Sequence, residues 1–197
     1  PVFVPRSFAA RMNPGDPADP LLLQVIAQAK ESLPIDGYEK DTNGEATAVL
    51  AAVVLRKYSS RALMITSGAC AVHCRYCFRR HYPYSDSPSG LEQWRQSLEA
   101  IAQDTNIEEV ILSGGDPLVL SDQSIGQLLS ALADISHVKH VRFHTRTPVI
   151  IASRITPKLL RHLKSTRLKV WFVIHSNHAN ELDGEVLASL AKLQQIG

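Results

Sequence analysis

Long hydrophobic runs are missing from this chain. None approaches the roughly 20 apolar residues that cross a bilayer, and the opening Pro1-Val2-Phe3-Val4-Pro5 has no signal-peptide organisation. No membrane association is expected, and a reducing cytoplasm is the expected setting. An excess of one charge is missing too. Lys and Arg number 21 against 19 Asp and Glu, a formal net charge of +2, so there is neither a global basic field for nucleic acid nor an acidic tail. Internal repeats and low-complexity segments are also lacking. Gly114-Gly115 is not followed by the Gly-Lys-Ser/Thr of a phosphate loop, and neither the dinucleotide fingerprint nor the His-Glu-x-x-His of zinc hydrolases is found. Cysteine is scarce. With three in the chain, a four-cysteine zinc site and a fully paired disulfide set are both excluded.

All three cysteines fall within one short stretch, Cys70-Ala71-Val72-His73-Cys74-Arg75-Tyr76-Cys77. Three thiolates at this C-x3-C-x2-C spacing can each hold a separate iron of a 4Fe-4S cluster, leaving the fourth iron open to another molecule. The alternative is a zinc site completed by His73 or His81.

The 197 residues, 45% of them hydrophobic, suffice for one globular domain with a sizeable core. Residues 1–60 read as a helical and loop-rich lead-in. Asp19-Pro20 offers an N-cap and first-turn proline before Leu21, Leu22, Val25 and Ile26. The polar stretch from Leu33 to Glu45 reads as a surface connection. From Arg61 onward, apolar runs alternate with segments of helical period. The runs are Ala62–Ile65, Val110–Leu112, Val138–Phe143 and Val170–Ile174; the helical faces carry Leu91, Trp94, Leu98 and Ile101; Ile125, Leu128, Leu129 and Leu132; a helix capped by Thr156 and Pro157; and Val186, Leu187, Leu190 and Leu193. Four strand-helix units in series predict an α/β fold with a parallel sheet over residues 61–197, open or curved toward a barrel. The chain begins at Pro1 and stops at Gly197 as an amphipathic segment ends, so a piece of a longer protein is expected.

In such folds functional groups collect on loops after the carboxyl ends of strands. The cysteines follow the first strand, Ser113-Gly114-Gly115-Asp116 the second, Thr145-Arg146 the third and His175 to Glu181 the fourth. Paired glycines let backbone approach a ligand, or simply make a turn before a helix; Asp116 can accept from an ammonium. Arg75, Arg79, Arg80 and His81 concentrate positive charge suited to carboxylate or phosphate, or form a solvated basic loop. Lys57, Tyr58 and Arg61 offer two cations and a phenol to a phosphate. His175, His178 and Glu181 are open to metal ligation or to ordinary rim hydrogen bonding.

The cysteine motif with aromatic Tyr76 resembles the radical S-adenosylmethionine (SAM) superfamily. The surrounding residues, Cys74-Arg75-Tyr76-Cys77-Phe78-Arg79-Arg80, Ser113 to Pro117, Arg146-Thr147-Pro148, Arg154 to Pro157 and His175 to Glu181, resemble lysine 2,3-aminomutases across nearly the whole chain. Val4 to Phe8 and Phe78 to Tyr84 are most similar to the branch that makes (R)-β-lysine for modification of elongation factor P. The resemblance implies a partial (βα)6 barrel, of which this chain would carry the lead-in and about four βα units. It implies a 4Fe-4S cluster on Cys70, Cys74 and Cys77, with S-adenosylmethionine chelated to the open iron, and pyridoxal 5′-phosphate (PLP). One-electron cleavage of S-adenosylmethionine would give a 5′-deoxyadenosyl radical that takes a hydrogen from the β-carbon of L-lysine before the amine shifts.

By position, the resemblance assigns Tyr76, Ser113, Gly114, Gly115, Asp116, Arg146 and His175 to S-adenosylmethionine, Lys57, Tyr58 and Arg61 to PLP, and Arg79 to the substrate carboxylate. Lys57 stands where the clostridial-type enzymes have arginine, which would weaken a bidentate contact to a point charge. The Schiff-base lysine and the acids for the distal ammonium are expected beyond Gly197. An electron donor and a functional link to elongation factor P through its lysylating enzyme are implied partners, with homo-oligomerisation left open. Two alternatives remain at this stage: another radical SAM enzyme on the same scaffold, and a zinc-stabilised module that binds RNA or a protein partner through the arginine-rich loop.

Overall fold

The computed structural model describes residues 2–45, 47–51, 53–84 and 90–196; Gly197 lies outside them. Six strands form one sheet in chain order: β1 (Val49–Ala51), β2 (Val54–Tyr58), β3 (Arg61–Ser67), β4 (Glu109–Gly114), β5 (His140–Thr145) and β6 (Lys169–Ile174). β3 to β6 are parallel, with Met64 opposite Leu112, Leu112 opposite Phe143 and Phe143 opposite Phe172. The crossovers run through α2 (Leu91–Gln103), α3 (Asp122–Ala133) and α5 (Pro157–Ser165), and α6 (Gly184–Gln194) follows β6. Two four-residue helices, α1 (Arg6–Ala9) and α4 (Thr147–Ile150), are also present among the described residues. The architecture is the α/β fold expected, a mixed sheet whose four parallel strands alternate with helices. No helix among the described residues is long and apolar enough to cross a membrane.

Alternation along the strands separates two faces. Ala62, Met64, Val110, Leu112, Val141 and Phe143 pack with Trp94, Ile101, Leu128, Leu132, Leu159 and Leu163 of the helices into the main core. Phe143 and Phe172 stack with ring centroids 4.9 Å apart. The opposite face carries Leu63, Ile111, Ser113, His144 and Val173, and these line a cavity. Helix starts are fixed locally. The Ser121 and Thr156 hydroxyls and the Asp183 carboxylate accept from Ser124, Leu159 and Val186 amides at 3.0, 3.0 and 2.9 Å.

The lead-in departs from a purely helical and looped reading, because β1 and β2 lie inside it. Val53, Val54 and Leu55 are buried, and the two residues Ser59-Ser60 turn the chain so that Tyr58 pairs with Arg61 across an antiparallel hairpin. The helix expected after Asp19 is a single 3-10 turn, Leu22–Gln24. Asp19 still caps it, accepting from the Leu21 and Leu22 amides at 2.8 Å each. Leu187, expected on a packed face, is exposed.

Candidate functional site

The four rim loops after β3 to β6 converge on one cavity of about 540 Å³. Its upper wall holds Cys70, Cys74, Tyr76, Cys77, Gly114, Gly115, Asp116, Arg146 and His175. Its lower wall holds Lys57, Tyr58 and Arg61, with Arg79 and Ser113 also lining it. A seven-residue β3 at about 3.3 Å per residue sets the floor cations about 20 Å from the rim.

The cysteine loop is fastened by main-chain bonds from three directions. Gly115 N and Asp116 N donate to the carbonyls of Ser67 and Ala69 at 2.7 and 2.9 Å, while Arg75 N and His73 N donate to Gln24 and Phe3 carbonyls at 2.8 and 3.0 Å. Both glycines serve this contact. A Cβ on Gly115 would collide with the Ala69 carbonyl, and one on Gly114, whose φ is +125°, would collide with that of Ser67. The close approach read from the glycine pair is therefore made first to the chain's own cysteine loop.

Asp116 is buried and its carboxylate is saturated. Oδ1 accepts from Thr145 Oγ1 at 2.7 Å and Leu118 N at 2.9 Å; Oδ2 accepts from Arg146 N at 2.8 Å and Thr147 N at 3.0 Å. It ties the loops after β4 and β5 together. Arg146 is buried as well. Its guanidinium donates to Cys74 Sγ at 2.9 Å, Gln24 Oε1 at 2.5 Å, Glu181 Oε2 at 3.0 Å and Tyr76 Oη. Burial opposes its charge, but Cys74, Tyr76 and Glu181 outweigh burial and raise its pKa above the usual arginine value. The Tyr76 ring meets His175 edge-on at 5.6 Å, and His175 Nε2 lies 3.0 Å from Asn177 Oδ1.

The segment after β6 is a hydrogen-bonding cap. Glu181 accepts from Asn177 N, His178 N and Gln24 Nε2 at 2.9, 3.0 and 2.9 Å. Burial pushes its carboxyl up, yet Gln24, Asn177 and Arg146 together hold it below the usual range. His178 accepts from Asn180 N at 3.1 Å. Of the two sequence readings of His175, His178 and Glu181, rim hydrogen bonding describes the contacts. Among the described residues no group of three or more His, Cys, Asp or Glu side chains is gathered to hold a single ion.

The three cysteines are free and half-buried. Burial, with Asp116 and the other two sulfurs, pushes the Cys70 thiol up to about 12, and burial likewise raises Cys77. A thiol that coordinates a metal is held as the thiolate by the ion's positive charge. Spread along one loop, the three cysteines suit a cluster with one thiolate per iron.

At the floor, Lys57 donates to the Asn43 carbonyl, Arg61 pairs with Glu109 at 2.9 Å, and its guanidinium lies 5.9 Å from the Tyr58 ring centroid. These three share the cavity with the cysteines. Arg79 is buried and pairs with Glu45 at 2.8 Å. Glu45 closes a stretch read as a surface connection, yet it is buried; an acid directly before an apolar run was its one sequence signal. Gln24 and His144 were also missed. His144 lines the cavity, and its Nε2 is buried without a partner.

Residues 64–190 match the family model described as "Radical SAM superfamily". The chain is 42% identical over 194 residues to the L-lysine 2,3-aminomutase of Buchnera aphidicola subsp. Baizongia pistaciae, covering 98% of this chain and 57% of that protein. To the Escherichia coli (strain K12) L-lysine 2,3-aminomutase it is again 42% identical, over 98% of this chain and 56% of the relative. The Clostridium subterminale protein of the same name is 32% identical over 96% of this chain and 46% of its own length. The chain thus spans about half the length of these curated relatives. The matched family segment runs from β3 through the cysteine loop and every rim loop to α6, and the chain belongs to the radical SAM superfamily.

Proposed function

We propose that this chain is the cluster-binding and S-adenosylmethionine-binding part of an enzyme that converts L-α-lysine to (R)-β-lysine. In this reading residues 1–60 form the lead-in and 61–197 the first part of the barrel, and the product serves the modification of elongation factor P in the cytoplasm. The similarity to L-lysine 2,3-aminomutases over 98% of the chain carries the reading. The shared cavity supports it, with sulfurs at the rim and cations at the floor.

Cys70, Cys74 and Cys77 would hold the 4Fe-4S cluster. Tyr76, His175 and the rim backbone of Ser113 to Asp116 would receive S-adenosylmethionine, with Arg146 supporting the wall beside Cys74. Lys57, Tyr58 and Arg61 would take the phosphate of PLP, and Arg79 the substrate carboxylate. When bound, these groups supply one-electron chemistry and a carrier for the amine. The protein's part is to orient them along one lumen and exclude water.

The test is anaerobic reconstitution of the full-length enzyme with reductant, S-adenosylmethionine, PLP and L-lysine. Formation of (R)-β-lysine is expected. An intact cluster with bound cofactors and no β-lysine would overturn the assigned reaction, and full-length protein that binds no PLP would favour another radical reaction on this scaffold.

A further inference from the structure

Arg79 is held on three sides. Glu45 takes its side edge, with Nε at 2.9 and 3.1 Å from Oε2 and Oε1 and Nη2 at 2.8 Å from Oε1. Ser113 Oγ accepts from Nη1 at 2.8 Å, and the guanidinium carbon lies 4.6 Å from the Phe78 ring centroid. Side-chain exposure is 6% for Arg79 and 8% for Glu45. A guanidinium has five N–H donors in a fixed plane. Glu45 and Ser113 use three of them and the Phe78 contact restrains the plane, which leaves one N–H on each terminal nitrogen. Nη1 also lies 3.5 Å from the Gly114 carbonyl, long for a hydrogen bond. Arg79, Glu45, Ser113 and Phe78 all line the cavity.

We propose that Glu45 is the positioning residue of a carboxylate subsite: by gripping Arg79 side-on, it presents the terminal edge of the guanidinium to the carboxylate of an amino-acid substrate. The inference rests on the proposed role of Arg79. A free arginine side chain loses several rotors when it forms a bidentate contact; here Glu45 has already fixed them, so the substrate meets a preorganised fork. The side-on pair also balances the buried positive charge before substrate arrives, so selection for a carboxylate comes from directed N–H bonds.

Equilibrium binding of L-lysine and L-lysinamide to the full-length, cluster- and PLP-loaded enzyme tests this, because the two ligands differ only at the carboxylate. Glu45→Ala is expected to weaken L-lysine by about tenfold while changing L-lysinamide by less than about twofold. Glu45→Gln, which keeps an acceptor for Nε, is expected to lose less; it carries the comparison if the alanine variant does not fold. Equal weakening of both ligands would mark Glu45 as merely structural and overturn the proposal. So would unchanged binding of both, provided Arg79→Ala shows the lysine-selective loss. If Arg79→Ala itself fails to separate the two ligands, the assigned role of Arg79 falls, and the Glu45 proposal with it.

Discussion

Burial and two neighbouring cations decide the charge of His144. The imidazole points into the lumen from β5, and burial first, then Arg142 and Arg79, push its pKa below 6.5, with Glu109 opposing weakly. As pH falls, the unfolded chain therefore binds this proton before the folded one does. The contribution to stability is complete above about pH 6.5 and is lost as pH falls from there through the lower pKa of the folded state. His144→Gln is expected to flatten the fall in unfolding free energy between about pH 7 and pH 5, read from urea titrations at a series of pH values. A slope identical to that of the parent chain would sink the assignment. Two carboxylates tie separate elements together through fixed donors. Asp116 receives two main-chain amides on one oxygen and an amide and a hydroxyl on the other, and Glu181 joins the N-terminal segment to the β6 rim through Gln24 and Arg146.

Between elements, the junction of the cysteine loop with the β4 rim tolerates no side chain. Gly115→Ala would drive a Cβ into the Ala69 carbonyl, and backbone on both sides leaves nothing flexible to yield. After anaerobic reconstitution the variant is expected to bind much less iron and sulfide per chain than its parent, while keeping its far-ultraviolet circular dichroism. Full iron content in a folded variant would contradict the packing described. This junction also marks where sequence reading stops. Strand-helix alternation and the Ser121-, Thr156- and Asp183-led helix starts follow from local period and capping, so β3 to β6 and their helices are legible. Strands β1 and β2 were not, because apolar residues 49–55 fit a helix as well as a strand until Ser59-Ser60 is given weight as the turn from β2 into β3. The rim positions of Gly114, Gly115, Asp116 and Arg146 were likewise visible. Their partners were not, since Thr145, Gln24 and Glu181 reach them from 29, 122 and 35 residues away, distances at which pattern carries no pairing information. Glu45 is the sharpest case: only the folded chain brings it against Arg79.

For the whole molecule, the asymmetry of the sheet matters most. At one end β1 and β2 pair back antiparallel, whereas β6 at the other end leaves Trp171 and Val173 exposed on the lumen side. An edge strand with exposed apolar side chains is a template for further pairing. The 197-residue chain alone is expected to self-associate with rising concentration, and Val173→Lys to reduce that association in sedimentation velocity; equal association of both chains would count against this edge. The fastening of the cysteine loop has a different consequence. The His73 and Arg75 amides and the Ser67 and Ala69 carbonyls are paired within the protein itself, with Phe3, Gln24, Gly115 and Asp116, unlike a zinc finger, whose fold forms only as metal binds. Oxidative loss of the cluster would then empty a cage without collapsing it, and repair would need only iron, sulfide and electrons, with no refolding step.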